Sequence, residues 1–224
     1  RFPVENAFSI LTHTFSYLGS FNEDRNPPAW WLFCVAMTGW GLATIPLVRY
    51  IGRCLAPFEF RHARIATRLL TAGAIGIILV GLFPDARDTL IGPIRWTSMH
   101  YVGAVVLVLS FMTGIPWTAW TIRRILRTAP LDGAIGRAFQ QARWPHRFFL
   151  AISSVAIFFL TWLYVYEVRK AAAEEAGLVF GSPWKEAMNT PYSFPLWDNV
   201  FVQTLFIYLI WTALTLPPPP DTNG

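Results

Sequence analysis

Long apolar runs separated by short polar stretches dominate the pattern of this chain. A helix needs about 20 apolar residues to cross a bilayer core of about 30 Å. Five runs have roughly that length, and they cover residues 29–50, 65–83, 97–122, 148–166 and 196–216. The pattern therefore predicts an all-α fold, a polytopic transmembrane helix bundle with five spans in a single domain over residues 1–224.

The first residues have a different, amphipathic pattern. Between residues 2 and 21 the apolar side chains recur at steps of three and four, at Val4, Phe8, Leu11, Phe15 and Leu18. That spacing places them on one stripe of a helix, while the opposite side is too polar to cross a membrane. We predict an amphipathic helix over residues 2–21 that lies on the membrane surface or docks on the spans.

Two of the spans carry positions that predict close helix packing. The second span is rich in small residues, namely Ala72, Gly73, Ala74 and Gly76. Small residues allow membrane helices to approach closely. A mostly small or polar face runs along the third span and comprises His100, Gly103, Leu107, Ser110 and Gly114. We expect this face to point toward the other helices.

The charges are few and unevenly distributed. Only 14% of the residues are charged, whereas soluble domains are near a quarter. The connections 49–68 and 123–147 hold five and six arginines with a single acid each. By the positive-inside rule these basic connections and the tail 217–224 are cytoplasmic. Residues 1–28, the loop 84–96 and the loop 167–195 are then outside, and a sixth span upstream of Arg1 would explain the outside N-terminus.

The sharpest candidate for catalysis is His100 with Asp85 and Asp88. Ionisable groups at membrane depth are costly and often functional, and a carboxylate can orient an imidazole for acid–base chemistry. His13 of the surface helix could join them, but the spacing matches no known ligand motif, so we predict no metal. Alternatively, His100 lies near the interface and hydrogen-bonds a loop or a neighbouring helix, as buried polar groups usually do.

Lipid or partner binding has its own candidates, and His13 of the surface helix is one of them. Trp30 and Trp31 begin the first span, where amphipathic aromatics contact the interface. The arginines of both basic connections, among them Arg123, Arg124 and Arg127 after the third span, can hold anionic lipid head groups, although arginines at these places also serve topology alone. We expect no cofactor, since the sequence has no catalytic or nucleotide motif and no histidines at matched depth for haem. Basic loops this close to a membrane also argue against nucleic acid.

Short motifs link the chain to a known family. Ser16-Tyr17-Leu18-Gly19 precedes the first span, Gly81, Phe83 and Pro84 close the second, and His100 opens the third. This order resembles the DRAM/Frag/Sfk-type superfamily of six-helix membrane proteins and its uncharacterised bacterial relatives. The resemblance implies a helix upstream of this chain and a bacterial inner membrane. Members are linked to lipid-anchor remodelling, lipid asymmetry and autophagy, and the bacterial relatives have no assigned activity.

Three functional hypotheses follow. The first is a non-catalytic membrane protein that binds or organises membrane lipids or a partner protein. The second is an accessory subunit of a larger membrane complex, with other membrane proteins as partners. The third is an outer-leaflet enzyme that acts on lipid head groups through His100, Asp85 and Asp88. We favour a non-catalytic role because the sequence lacks catalytic motifs.

Overall fold

The computed structural model describes residues 15–22, 29–86, 88–129, 131, 133–177 and 194–219, and most of them are helical. The elements are a 3₁₀-helix Phe15–Gly19, α1 Trp30–Leu82, β1 Thr89–Ile91, β2 Ile94–Arg95, α2 Trp96–Thr128, α3 Gly133–Gln141, α4 Arg143–Glu175 and α5 Phe194–Thr215. Residues 2–14 of the predicted surface helix lie outside the described residues. Its last turn is a 3₁₀-helix that ends at Gly19.

The first two predicted spans and the connection 49–68 form one helical hairpin, α1. Helical backbone angles are interrupted at Glu59, with φ −147° and ψ 68°. Pro57 precedes the break and lacks the N–H that a continuous helix would use. The connection is therefore helical on both sides of the break, and its arginines lie on helical turns.

The two arms of α1, residues 30–58 and 60–82, run antiparallel in direct contact. A methyl group added at Gly81 would lie 2.6 Å from the backbone nitrogen of Thr38, and one at Gly41 would lie 2.9 Å from that of Ile78. Only residues without a side chain allow backbones to approach this closely. The hairpin register is therefore determined by glycine positions.

The predicted small face of α2 packs against α1. His100, Gly103, Leu107 and Gly114 are buried, as expected, and Ser110 is half-buried. The predicted close approach is confirmed at Gly76, where an added methyl group would come within 2.5 Å of the Leu107 backbone nitrogen.

The opposite face of α2 exposes apolar side chains, including Tyr101, Val102, Val105 and Leu109. Both Trp30–Leu82 and Trp96–Thr128 are long and apolar enough to cross a membrane. An apolar face that the described protein leaves uncovered is what a lipid-facing helix presents.

The loop 84–96 contains a small antiparallel ribbon, which departs from the all-α prediction. Strands β1 and β2 pair with Thr89 opposite Arg95. Gly92 between the strands has φ +55°, a conformation that glycine adopts without strain. β-Branched residues on both sides of a Gly-Pro turn explain the ribbon.

The remaining helices extend or match the predicted spans. α4 begins at Arg143 rather than at residue 148, and it continues to Glu175, through part of the predicted outer loop 167–195. Gly177 follows with φ +68°, as is common after a helix end. α5 covers Phe194–Thr215 and agrees with the predicted span 196–216.

The basic connection 123–147 is an ordered part of the fold. α3 lies within it, and its Phe139 is buried in a cluster with Ile51, Leu55, Ile122 and Ile125. This helix was not predicted, because it is short and two of its nine residues are glycines, which disfavour a helix. The cluster holds α3 against the basic turn of the α1 hairpin and against the C-terminal end of α2.

Gly76→Ala tests the packing of α1 on α2. The new methyl group would meet the Leu107 backbone, which cannot move aside like a side chain. We expect a loss of about 1–3 kcal/mol of unfolding free energy, measured by thermal unfolding of the detergent-solubilised protein. Gly39→Ala is the matched control, because nothing lies within 4 Å of its added methyl group. Equal stability of the two variants would contradict the backbone contact.

Candidate functional site

His100 is buried beside the C-terminal end of α1 and contacts the backbone there. Its Nδ1 lies 2.8 Å from the carbonyl oxygen of Phe83. A carbonyl only accepts, so Nδ1 carries the proton and donates it. Phe83 is the C-cap of α1, where carbonyl groups lack helical partners. The alternative interpretation of His100, a hydrogen bond to a loop or neighbouring helix, is confirmed.

The two aspartates proposed beside His100 lie in the ribbon loop. The Asp85 backbone carbonyl accepts a hydrogen bond of 2.6 Å from the Ser20 hydroxyl, and the Asp88 carbonyl accepts one of 3.2 Å from the Trp96 N–H. Within the described part of the chain, His100 makes no hydrogen bond with a carboxylate. Its orientation is thus explained by backbone, and the catalytic role of this set stays a prediction.

The other candidates predicted on the outer side are His13, Trp30 and Trp31, and their surroundings differ. His13 lies outside the described residues. Across the described ranges, no group of three His, Cys, Asp or Glu side chains is placed to hold a metal ion. Trp30 packs edge-on against Phe21, with ring centroids 5.5 Å apart, while Trp31 is 51% exposed. Trp31 therefore remains available to lipid, and Trp30 is partly used in packing.

At the arginine-rich end of the protein, formed by the two basic connections, Arg124 pairs with an acid of the same chain. Its guanidinium Nε lies 2.5 Å from the Glu59 carboxylate, and the guanidinium also lies over the Trp120 ring at 5.8 Å. This ion pair ties the end of α2 to the turn of α1. Among the described residues, Arg124 is the one of the three arginines predicted to bind lipid or a partner that forms an ion pair.

Arg123 and Arg127 line a cavity of about 540 Å³ with Arg143 and Arg147, and we call it the α2–α4 cleft. Its other lining residues are Leu126, Gln140 and Trp144. Each helix contributes two arginines four positions apart, a spacing at which like charges repel. No acid is among these lining residues, so the described lining of the cleft carries four positive charges.

A buried polar pair lies next to this cleft. His146 shares a smaller adjoining cavity with Arg123, Arg143 and Arg147. The His146 Nδ1–H donates to the Ala142 carbonyl at 2.7 Å, so Nε2 is free to accept from the Tyr208 hydroxyl at 3.0 Å.

These two hydrogen bonds settle the tautomer of His146, and its surroundings settle its charge. Burial lowers the pKa of His146, which lies just before the predicted span 148–166, from 6.5 to about 4. The imidazole is therefore neutral at pH 7 and adds no charge to the cleft.

The sequence assigned the arginines of both basic connections to lipid head groups but did not group them into a cleft. Arg143 and Arg147 repeat the four-residue spacing of Arg123 and Arg127, and that repeat was a usable signal. The contact between His146 and Tyr208 had no comparable signal, because it joins two residues that are 62 positions apart on different helices.

Comparison of the chain with protein-family models, with curated proteins and with solved structures found no match. The resemblance to the DRAM/Frag/Sfk-type superfamily therefore stays a prediction from short motifs.

The His146 pair predicts a pH-dependent stability. Because the folded pKa lies below the unfolded one, the unfolded state binds the proton first as pH falls. The contribution is thus fully present above about pH 6.5 and is lost toward pH 4, by up to about 3 kcal/mol. Unfolding of the wild type and His146→Gln should be compared across this range. The variant should show a shallower pH dependence, and parallel curves would contradict the assignment.

Proposed function

We propose that this chain is a non-catalytic integral membrane protein that binds an anionic lipid head group in the α2–α4 cleft. The observation that carries the proposal is the set of four arginines around one cavity without an acid among its lining residues. Guanidinium groups bind phosphate through paired, charge-assisted hydrogen bonds. An anion in the cleft would also relieve the repulsion between the arginines on each helix.

The proposed setting is a bundle of five spans in a bacterial inner membrane. Two helices long and apolar enough to cross a membrane support it. The exposed apolar side chains of α5, Phe206, Ile207, Ile210 and Leu214, support it as well. By the positive-inside rule the arginine-rich end faces the cytoplasm. The cleft would then lie at the level of the cytoplasmic head groups, where acidic lipids attract arginine.

The residues around the cleft favour binding over catalysis. Trp144 is 59% exposed and lies beneath the Arg147 guanidinium at 5.2 Å, an arrangement that suits the membrane interface. His146 of the adjoining cavity could transfer a proton, but it is held between the Ala142 carbonyl and Tyr208.

Arg123→Gln/Arg127→Gln tests the proposal. We expect binding of phosphatidylglycerol to weaken about thirtyfold, from about 1 kcal/mol for each arginine near an acidic lipid and tenfold for about 1.4 kcal/mol. The measurement is native mass spectrometry of the full chain titrated with phosphatidylglycerol or phosphatidylcholine. Arg61→Gln/Arg137→Gln removes the same charge from two exposed positions that line neither cavity, and it should bind like the wild type.

Two outcomes would contradict lipid binding in this cleft. One is equal retention of phosphatidylcholine and phosphatidylglycerol by the wild type. The other is a stoichiometric protein partner that is retained on extraction and released by Arg123→Gln/Arg127→Gln. That result would instead make the chain an accessory subunit that uses the cleft for an acidic surface.

A further inference from the structure

A second positively charged cleft lies between the two arms of α1, and we call it the hairpin cleft. Its volume is about 640 Å³, and Arg49 and Arg53 of the first arm line it with Arg64 and Arg68 of the second. All four side chains are exposed. The hairpin cleft and the α2–α4 cleft share no lining residue, so they are separate sites.

The antiparallel arms place these arginines in two opposed pairs. Gly52 packs directly on the side chain of Thr67, which sets the register of the hairpin here. Counted from the break at Glu59, Arg53 and Arg64 lie at similar distances on the two arms. Arg49 and Arg68 form a second pair one turn farther from the break.

Apolar side chains also line the hairpin cleft. Pro46, Ala56, Phe60 and Ala63 line it, and Phe60 is 68% exposed. The Thr67 hydroxyl donates to the Ala63 carbonyl at 2.8 Å, so its proton is already used. The cleft therefore combines a rim of cations with an apolar wall.

The arginines of the hairpin cleft have no acidic partner among the other residues that line it. Glu59 is the acid of this connection, and its carboxylate pairs with Arg124 of α2. No acid is among the described residues that line the hairpin cleft. Like charges one helical turn apart are destabilising, so this arrangement favours the binding of an external anion.

We propose that the hairpin cleft binds one acidic phospholipid of the same leaflet as the arginine-rich end. The phosphate would lie between the opposed arginines, and the acyl chains would pass Pro46 toward the membrane-spanning part of the hairpin. Charge complementarity selects an anion, and the membrane-spanning arms beside the cleft supply the apolar surface that an amphiphile needs.

Native mass spectrometry of the full chain counts the bound phosphatidylglycerol. The two clefts predict two tightly retained molecules in the wild type. Arg53→Gln/Arg64→Gln should retain one, with the affinity of the lost molecule reduced at least tenfold. Arg61→Gln/Arg137→Gln should retain two, because it removes the same charge from positions that do not line the hairpin cleft.

The same titration separates the two proposals. Retention of both molecules by Arg53→Gln/Arg64→Gln overturns the hairpin site, while loss of one from Arg123→Gln/Arg127→Gln still supports the α2–α4 cleft. Displacement of the lipid from the hairpin cleft by millimolar inorganic phosphate would mean that the site recognises a simple anion, and it would overturn the proposal.

Discussion

Direct contact between helix backbones is the constraint on which the rest of this structure depends. Gly41 and Gly81 let the arms of α1 close on each other, and Gly76 and Gly103 let α2 close on α1. Contacts of this kind accept no added side chain, so they determine the register of three neighbouring helical segments. With the register determined, the break at Glu59 meets the end of α2, and the ion pair with Arg124 can form.

The basic end follows from that register. Arginines that are far apart in the sequence become the walls of two clefts, one between the arms of α1 and one between α2 and α4. Glu59 matches the charge of Arg124, and no acid is among the described residues that line the two clefts. Beside the α2–α4 cleft, His146 stays neutral because burial lowers its pKa. The charge is thus concentrated on the surface, where an anionic head group can reach it.

The length of the apolar runs was sufficient to predict long helices such as α5. The buried face of α2 agrees with the predicted face of small and polar residues, because a helix that packs on one side repeats every three to four residues. The small residues of the second span correctly predicted close packing. The ribbon of β1 and β2 and the short helix α3 were missed, since such short elements depend on tertiary contacts more than on propensity.

The candidate site was harder to predict, for a physical reason. His100 bonds a backbone carbonyl, a partner that any residue can supply, whereas the sequence drew attention to Asp85 and Asp88. Arg143 comes close to Arg123, and His146 to Tyr208, only in the folded chain, because these partners lie on other helices. A sequence pattern describes one helix at a time, and both clefts are formed between helices.

The most direct measurement is an experimental structure of the full chain in a bilayer nanodisc that contains phosphatidylglycerol. The account predicts lipid density in both clefts, with a phosphate within hydrogen-bond distance of arginines from two helical segments in each. It also predicts that the exposed faces of α2 and α5 contact lipid. Empty clefts whose arginines point into solvent, or clefts filled by acidic side chains of another protein, would contradict it.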